Sequence, residues 1–415
     1  MTVNRRELLL RGAAAASLPW AATAAGATVA ADRPPATRRT ADSLGAGLRA
    51  DFPRAQAQTY LNSAGQHPLG LPMLRAMERH LHYEVYGDGE ERRYFSRRDQ
   101  AALKQEFGEL IGAEPEEIAF VQSTSDGENI VVAGMELARR GGNVVVDDLH
   151  FTTSLFMYKM LEENGLELRV VKHRDGAIPL EAMERAIDDG TRLVSMALVS
   201  NVNGYMHDVA AVAELAHARG AYLYADMIQA VGAVSLDMRA MGIDFAAAST
   251  YKWLMAERGF GLLYVRRELQ ETVVPTTRWG HRQVTKFDRD ALTWERRPGA
   301  ARYETGNISE PLAATALESV RYIRGLGVDN IVRHAQPLIA RLQEELPAAG
   351  YRSLTPRGTG TPVAAFRIAD PDDVIRRLEP TDLVVSLYPS EQRMRVSVSV
   401  FNTDEDVDRL LRALA

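Results

Sequence analysis

Lys252 closes the run 249-STYK-252, directly behind a stretch, Phe245–Ser249, that reads as a buried strand. A lysine near a strand end is ordinarily solvated, its stem packed and its ammonium in water. Three other features point it to chemistry. The apolar run in 221-AYLYADMIQAVG-232 ends in Asp226, with Gln229 three residues on. A carboxylate at the buried end of a strand is costly unless a cation meets it, although capping a following helix would also satisfy it. In 120-FVQSTSDGENIVVAG-134 a strand runs into a Ser/Thr-rich turn and then a helix start. The free N–H groups there, with the Thr124 and Ser125 hydroxyls, make a phosphate cradle. Ser249 and Tyr251 add two hydroxyls beside the lysine. Amine, buried carboxylate and phosphate cradle together suit one ligand chemistry, a phosphorylated pyridine aldehyde. Lys252 would hold it as a Schiff base, and Asp226 would keep its ring nitrogen protonated, so that the ring works as an electron sink. Gln229 would reach the ring hydroxyl.

Elements that could carry these groups to one place are legible along the chain. Beyond a Pro/Arg/Ala-rich linker and arm at 32–58, short apolar strands are expected at 118–121, 143–146, 167–171, 192–199, 221–225, 245–249 and 261–265. They alternate with helices at 129–140, from about 153, at 180–187 and at 209–219. This pattern implies an α/β fold, a mostly parallel seven-stranded sheet flanked by helices, with ligands at the carboxyl ends of its strands. From about 316 the pattern changes. Helices at 310–326 and 330–348 lead to a strand at 361–368, a helix at 372–378, strands at 382–388 and 394–400, and a last helix at 404–414. A large domain over 59–315 and a smaller C-terminal α+β domain over 316–415 are therefore expected, as the length of 415 residues suggests.

Composition narrows the function classes. Net charge is −6, and basic and acidic residues are mixed along the chain, which excludes the basic stripe of a nucleic-acid binder. The absence of cysteine excludes disulfides, thiolate metal sites and a cysteine nucleophile. The 9 histidines are scattered, with His80 and His82 the one close pair and no HExxH pattern, so no metal site is expected. Residues 1–31 hold Arg5-Arg6, an alanine-rich apolar stretch and the small-residue cleavage candidates Ala22-Thr23-Ala24 and Ala25-Gly26-Ala27. They resemble a twin-arginine export signal, which carries folded cargo and stands outside the fold. Export of an enzyme already holding its cofactor is the expectation, with a cytoplasmic location as the alternative. The mature protein is expected to have no membrane span.

From 59-TYLNSAGQHPLG-70 to the C-terminus, the ordered set STS…N, SNVNG, D-x-x-Q, S-x-x-K and RVS…FNTDED resembles the class V aminotransferase family. These are fold-type I pyridoxal-phosphate-dependent enzymes, among them cysteine desulfurases, isopenicillin N epimerases and kynureninases. The resemblance implies pyridoxal 5′-phosphate as cofactor, Lys252 as its lysine, Asp226 as the pyridinium partner and Gln229 as the contact of the ring hydroxyl. It implies Thr124, Ser125, Ser249 and Tyr251 as phosphate ligands. Asn201 in 200-SNVNG-204 falls where the family faces cofactor and substrate, and Phe151 in 148-DLHFTT-153, in preference to His150, where a ring stacks on the pyridine. Arg395 matches the arginine that grips the substrate α-carboxylate. Asn307, last of 302-RYETGN-307, stands where the family has a threonine reaching the neighbouring subunit's phosphate, which implies a homodimer.

The desulfurase branch carries a nucleophilic cysteine upstream of the Arg395 position, where this chain has only 387-LYPSEQRM-394. The resemblance then implies an aminotransferase or isopenicillin N epimerase-like enzyme acting on an amino acid or a similar small metabolite. A C–S or other β-lyase is the alternative, a persulfide-forming desulfurase is excluded, and a silent binding protein is the contrasting class. The segments 83–98 and 275–287, rich in aromatics and arginines, are expected to choose among these outcomes unless they are solvated loops.

Overall fold

A computed structural model describes residues 44–273 and 278–415 of the chain. The candidate export segment at 1–31 lies outside the described residues, as do residues 32–43 of the linker and 275–277 of the second aromatic segment.

Seven strands form the central sheet: β1 (Ile118–Val121), β2 (Asn143–Asp147), β3 (Glu167–Val171), β4 (Thr191–Ala197), β5 (Tyr222–Asp226), β6 (Phe245–Ser249) and β7 (Gly261–Val265). Their spatial order is β1-β7-β6-β5-β4-β2-β3. β7 runs antiparallel to both neighbours and the remaining pairs are parallel. Helices cover both faces, so β1, β2, β6 and β7 are buried at every residue and can be apolar throughout. The edge strand β3 instead exposes Glu167 and Val170.

The helices are α1 (Leu71–Tyr86), α2 (Arg97–Ile111), α3 (Thr124–Gly134), α4 (Thr152–Glu162), α5 (Leu180–Ala186), α6 (Val209–His217), α7 (Glu310–Leu326), α8 (Val328–Ala348), α9 (Pro371–Leu378) and α10 (Asp404–Leu414). Seven of them begin or end within two residues of their expected bounds, while α1 and α2 were not expected from the sequence. The clear departure is α3, expected over 129–140. It starts at Thr124 because the Ser123 hydroxyl accepts the Asp126 N–H and caps it there. It stops at Gly134, and a separate turn, Leu137–Arg140, follows Glu136 in the left-handed region at φ 55°. The polar first turn hid the helix start from a reading of apolar spacing. It also brings the helix N-terminus to the end of β1, where a cradle needs it.

Residues 284–296 form an exposed hairpin of β8 (Val284–Asp288) and β9 (Thr293–Arg296), so the second aromatic segment is not a plain loop. The first, 83–98, spans the end of α1 and the turn into α2, which Ser96 and Asp99 open with a reciprocal capping box. The C-terminal sheet has the order β10-β12-β11, from β10 (Val363–Arg367), β11 (Ser386–Tyr388) and β12 (Arg393–Ser397). It packs against α8 and α10 through a core of its own that includes Leu338, Leu342, Phe366, Val396 and Leu410. The strand expected at 382–388 is broken: Leu383–Val384 pairs in parallel with Thr59–Tyr60, and Ser386–Tyr388 pairs with β12. That break turns Ser386 towards Arg395, its register partner on β12. Among the described residues no helix is long and apolar enough to cross a membrane.

Candidate active site

The carboxyl ends of β4, β5 and β6 and the N-termini of α3 and α4 converge on a cavity of about 280 Å³. Thr124, Ser125, Phe151, Asn201, Asp226, Gln229, Ser249, Tyr251 and Lys252 all line it, so nine residues singled out from the sequence meet in one place. The local reason is the parallel sheet itself. Each strand delivers its last side chain to the same edge, and each following helix presents its free N–H groups there.

The phosphate-cradle end is pre-built. Thr124 N–H donates to Ser249 Oγ at 2.9 Å, and Ser249 N–H donates to Thr124 Oγ1 at 2.9 Å, which locks α3 onto the end of β6. The N–H groups of Asp126 and Gly127 are taken by Ser123. The Ser125 N–H is left without a partner among the described residues, facing an anion site in all but the anion. Arg278, ahead of the β8–β9 hairpin, pairs with Asp126 in this first turn.

At the other end Lys252 is 6% exposed, and its Nζ has no hydrogen-bond or ion-pair partner among the described residues. Burial pulls its pKa down to about 8, against the attraction of Asp226 and with the help of the Arg395 charge. Asp226, 3% exposed, accepts the Ile228 N–H at 2.9 Å on Oδ1. It is followed by a turn and not a helix, so the capping alternative falls. Burial pushes its pKa up to about 6, with the Ile228 bond, His150 and Lys252 opposing. Burial disfavours the charge of both groups in one pocket: a cationic ring would relieve Asp226, and an aldehyde would take up the Lys252 amine.

Gln229 is held on two sides: its Nε2 donates to the Ala64 carbonyl at 2.9 Å and its Oε1 accepts the Trp253 Nε1–H at 2.8 Å. One N–H of the amide stays free for a ring hydroxyl. Asn201 Oδ1 is buried with no hydrogen-bond partner. Phe151 is on the cavity wall, while His150 turns away beneath it, 1% exposed. The orphaned amine, amide oxygen and N–H, set around a slot with an aromatic wall, fit pyridoxal 5′-phosphate.

Arg395 stands just outside this lining, 3% exposed on β12, where its guanidinium donates to the Asn201 carbonyl at 2.6 Å and to Ser386 Oγ at 3.1 Å. Its Nε is buried and unpartnered, and no carboxylate pairs with it among the described residues. Asn307 is different. It is exposed and lines a separate surface cavity with Tyr94, Lys104 and Glu310, so within one chain it takes no part in the site.

Sequence reasoning passed over three participants. Ser123 and Thr153 line the cavity, and Trp253 orients Gln229. The first two flank residues already singled out. Trp253 gave no signal, because a tryptophan after a lysine reads as core. His80 and His82 do not act together, since two positions apart on α1 they face different ways, one buried and one exposed. The ligand atoms of His80, Glu84 and Glu310 lie within 4.8 Å of one another. The Phe95 N–H donates to His80 Nδ1 at 3.0 Å, however, which leaves the imidazole proton on Nε2 facing the two carboxylates, and a protonated nitrogen is no metal ligand.

Residues 60–410 match the family described as aminotransferase class-V. An uncharacterised aminotransferase of Bacillus subtilis is 29% identical over 368 residues, covering 88% of this chain and 95% of its own length. A cysteine desulfurase of Salmonella agona is 30% identical over 316 residues, covering 72% and 77%. Among solved structures, the apo cysteine desulfurase of Thermococcus onnurineus superposes with a TM-score of 0.77 at 23% identity, covering 89% of this chain and 97% of that one. A match along nearly the whole body of the chain, on the sheet expected for it, makes this protein a member of the class-V aminotransferase family and an enzyme that works with pyridoxal 5′-phosphate.

Proposed function

We propose that the enzyme takes an amino acid or a close relative, holds its α-carboxylate at Arg395 and moves the Cα proton with the Lys252 amine. The observation that carries this reading is a buried guanidinium without a counter-ion among the described residues. Two residues away Arg393, also buried, is paired with Glu391 at 2.6 Å and stacked 3.9 Å over the Tyr388 ring. Arg395 has no such carboxylate, and buried charges are ordinarily paired, so the missing anion is read as the substrate's. Asn201 sits between it and the cavity, with an acceptor to spare for a substrate N–H.

When bound, the cofactor supplies an electron sink that lets a Cα–H bond ionise. The chain's own residues do the rest. The Ser125 N–H and the Thr124 and Ser249 hydroxyls would hold the phosphate. Asp226 would pair with the ring nitrogen and keep its proton in place. Lys252, with a pKa of about 8, has an appreciable neutral fraction near neutrality and serves as the base and then the acid. Cysteine desulfuration is not proposed. That outcome needs a thiolate to receive sulfur, and the chain has no cysteine.

The test is to incubate the holoenzyme with a panel of amino acids, following its visible spectrum and identifying products by mass spectrometry. A keto acid or an inverted centre supports the proposal, a lyase product moves the chain to β-elimination, and no spectral response to any member sinks it. Arg395→Gln adds a quantitative arm. Loss of a charge-assisted pair worth about 1.5–3 kcal/mol raises KM for carboxylate substrates about 10–150-fold. A substrate lacking the carboxylate should be unaffected, and equal losses on both would remove Arg395 from the substrate site.

Two parts of the reading concern context. The Arg5-Arg6 pair suits export of the loaded, folded enzyme, so Arg5→Lys with Arg6→Lys should hold it in the cytoplasm, as cell fractionation would report. Exposed Asn307 suits contact with a second copy, which light scattering of the holoenzyme would reveal as a dimer.

A further inference from the structure

Behind the cavity wall lies a polar cluster with no role in the account so far. Glu128 sits one turn into α3, 2% exposed, facing α4 and β4. Among the described residues no lysine or arginine reaches it. Three hydroxyls do: Ser154 Oγ donates to Oε2 at 2.6 Å, while Tyr158 Oη at 3.0 Å and Ser195 Oγ at 2.9 Å donate to Oε1. His150 completes the cluster. Its Nδ1 accepts the Phe151 N–H at 2.8 Å, and its Nε2 lies 3.0 Å from Ser195 Oγ and 3.7 Å from Glu128 Oε1.

The directions of these bonds follow from hydrogen counting. Ser195 commits its one hydrogen to Glu128 and therefore accepts from His150, which puts the imidazole proton on Nε2. From the Phe151 N–H through His150 and Ser195, every hydrogen points towards Glu128. Such a convergence suits an ionised carboxylate. Burial opposes that ionisation, but His150, Ser154 and Ser195 outweigh it and hold the Glu128 pKa below the usual range.

Two consequences bear on the site. Ser154 and Tyr158 belong to α4, at whose start Phe151 stands, and Glu128 belongs to α3, whose start carries Thr124 and Ser125. The cluster thus ties the aromatic wall to the phosphate cradle. Its charge also reaches Asp226. The titratable groups that feel Asp226 are Glu128 from α3, His150 beyond β2, Tyr224 from β5, and Tyr251 and Lys252 beyond β6. Asp147, the other anion that His150 feels, is already paired with His207 Nε2 at 3.1 Å. We propose that Glu128 is a positioning residue for the cofactor: through Ser154, Tyr158, Ser195 and His150 it fixes Phe151 on the cavity wall, and as a second buried anion it strengthens the hold of Asp226 on the ring-nitrogen proton.

This inference rests on the cofactor reading of the pocket. The holoenzyme is loaded with pyridoxal 5′-phosphate labelled with 15N in the ring, and the nitrogen shift is followed with pH beside the circular dichroism of the bound cofactor. Glu128→Gln keeps the side-chain shape and an acceptor for Tyr158 and Ser195. Its ring nitrogen should lose the proton about one pH unit earlier than in wild type, a tenfold change in proton affinity, with weaker ellipticity. Ser195→Ala, the second variant, keeps the Glu128 charge but cuts its link to His150, so it should lower the ellipticity and leave the nitrogen titration in place. A wild type that takes up no cofactor, or never protonates its nitrogen, sinks the pocket reading and this inference together. A normally loaded wild type beside variants with unchanged titration and ellipticity sinks this inference alone.

Discussion

Lys252→Ala is expected to lower turnover by at least ~10³-fold, the scale of a lost acid/base group, and to leave the cofactor bound without a covalent link. In wild type, borohydride reduction followed by peptide mapping should place the cofactor on the peptide containing Lys252. The chain has five lysines, and the other four are engaged or misplaced. Lys104 is tied to Glu304 at 2.5 Å, and Lys159, Lys172 and Lys286 are exposed away from the cavity. Lys252 alone among the described lysines combines burial, an unpartnered amine and a place on the cavity wall. Label on any other lysine would end the assignment.

Asp226→Asn separates function from stability. The amide can still accept the Ile228 N–H, so the turn and the phosphate cradle should survive and cofactor occupancy should change little. It cannot hold a protonated ring nitrogen, and turnover should fall on the order of 10³-fold. Without cofactor, the same variant should be the more stable protein at neutral pH. The folded carboxyl has its pKa raised to about 6 from 3.8, so the folded state binds this proton more tightly than the unfolded chain does. Ionising it therefore costs stability, in full above about pH 6 and not at all below the unfolded value. Removing that cost gains about 1–3 kcal/mol, less whatever attraction to Lys252 is lost with the charge. Thermal melts of both cofactor-free proteins between pH 4 and 8 would check it, with curves that converge towards acid. Parallel curves, or a variant with normal turnover, would reduce Asp226 to a turn residue.

Much of the site was readable because its residues follow strands directly. Asp226 closes β5, Ser249 closes β6, and Thr124 and Ser125 open α3, so local polarity after an apolar run marked each of them. Lys252, three residues past a strand end, needed the others to give it meaning. The sheet was as legible, since its buried strands can be apolar at every position. Element ends were less so wherever side chains decide them, as Ser123 does for α3 and the break after Val384 does for β11.

The sequence by itself determined the residue types, the strand–helix alternation and the lack of any thiol, and with them the cofactor chemistry. Tertiary structure alone decided which charges go unpaired. Arg393 and Arg395 look alike in the chain, yet among the described residues one pairs with Glu391 and the other with no carboxylate. Glu128 draws no notice in the sequence, and only the fold brings Ser195, 67 positions away on β4, to donate to it. Pairing and burial depend on groups brought together across the fold, and no local spacing encodes them.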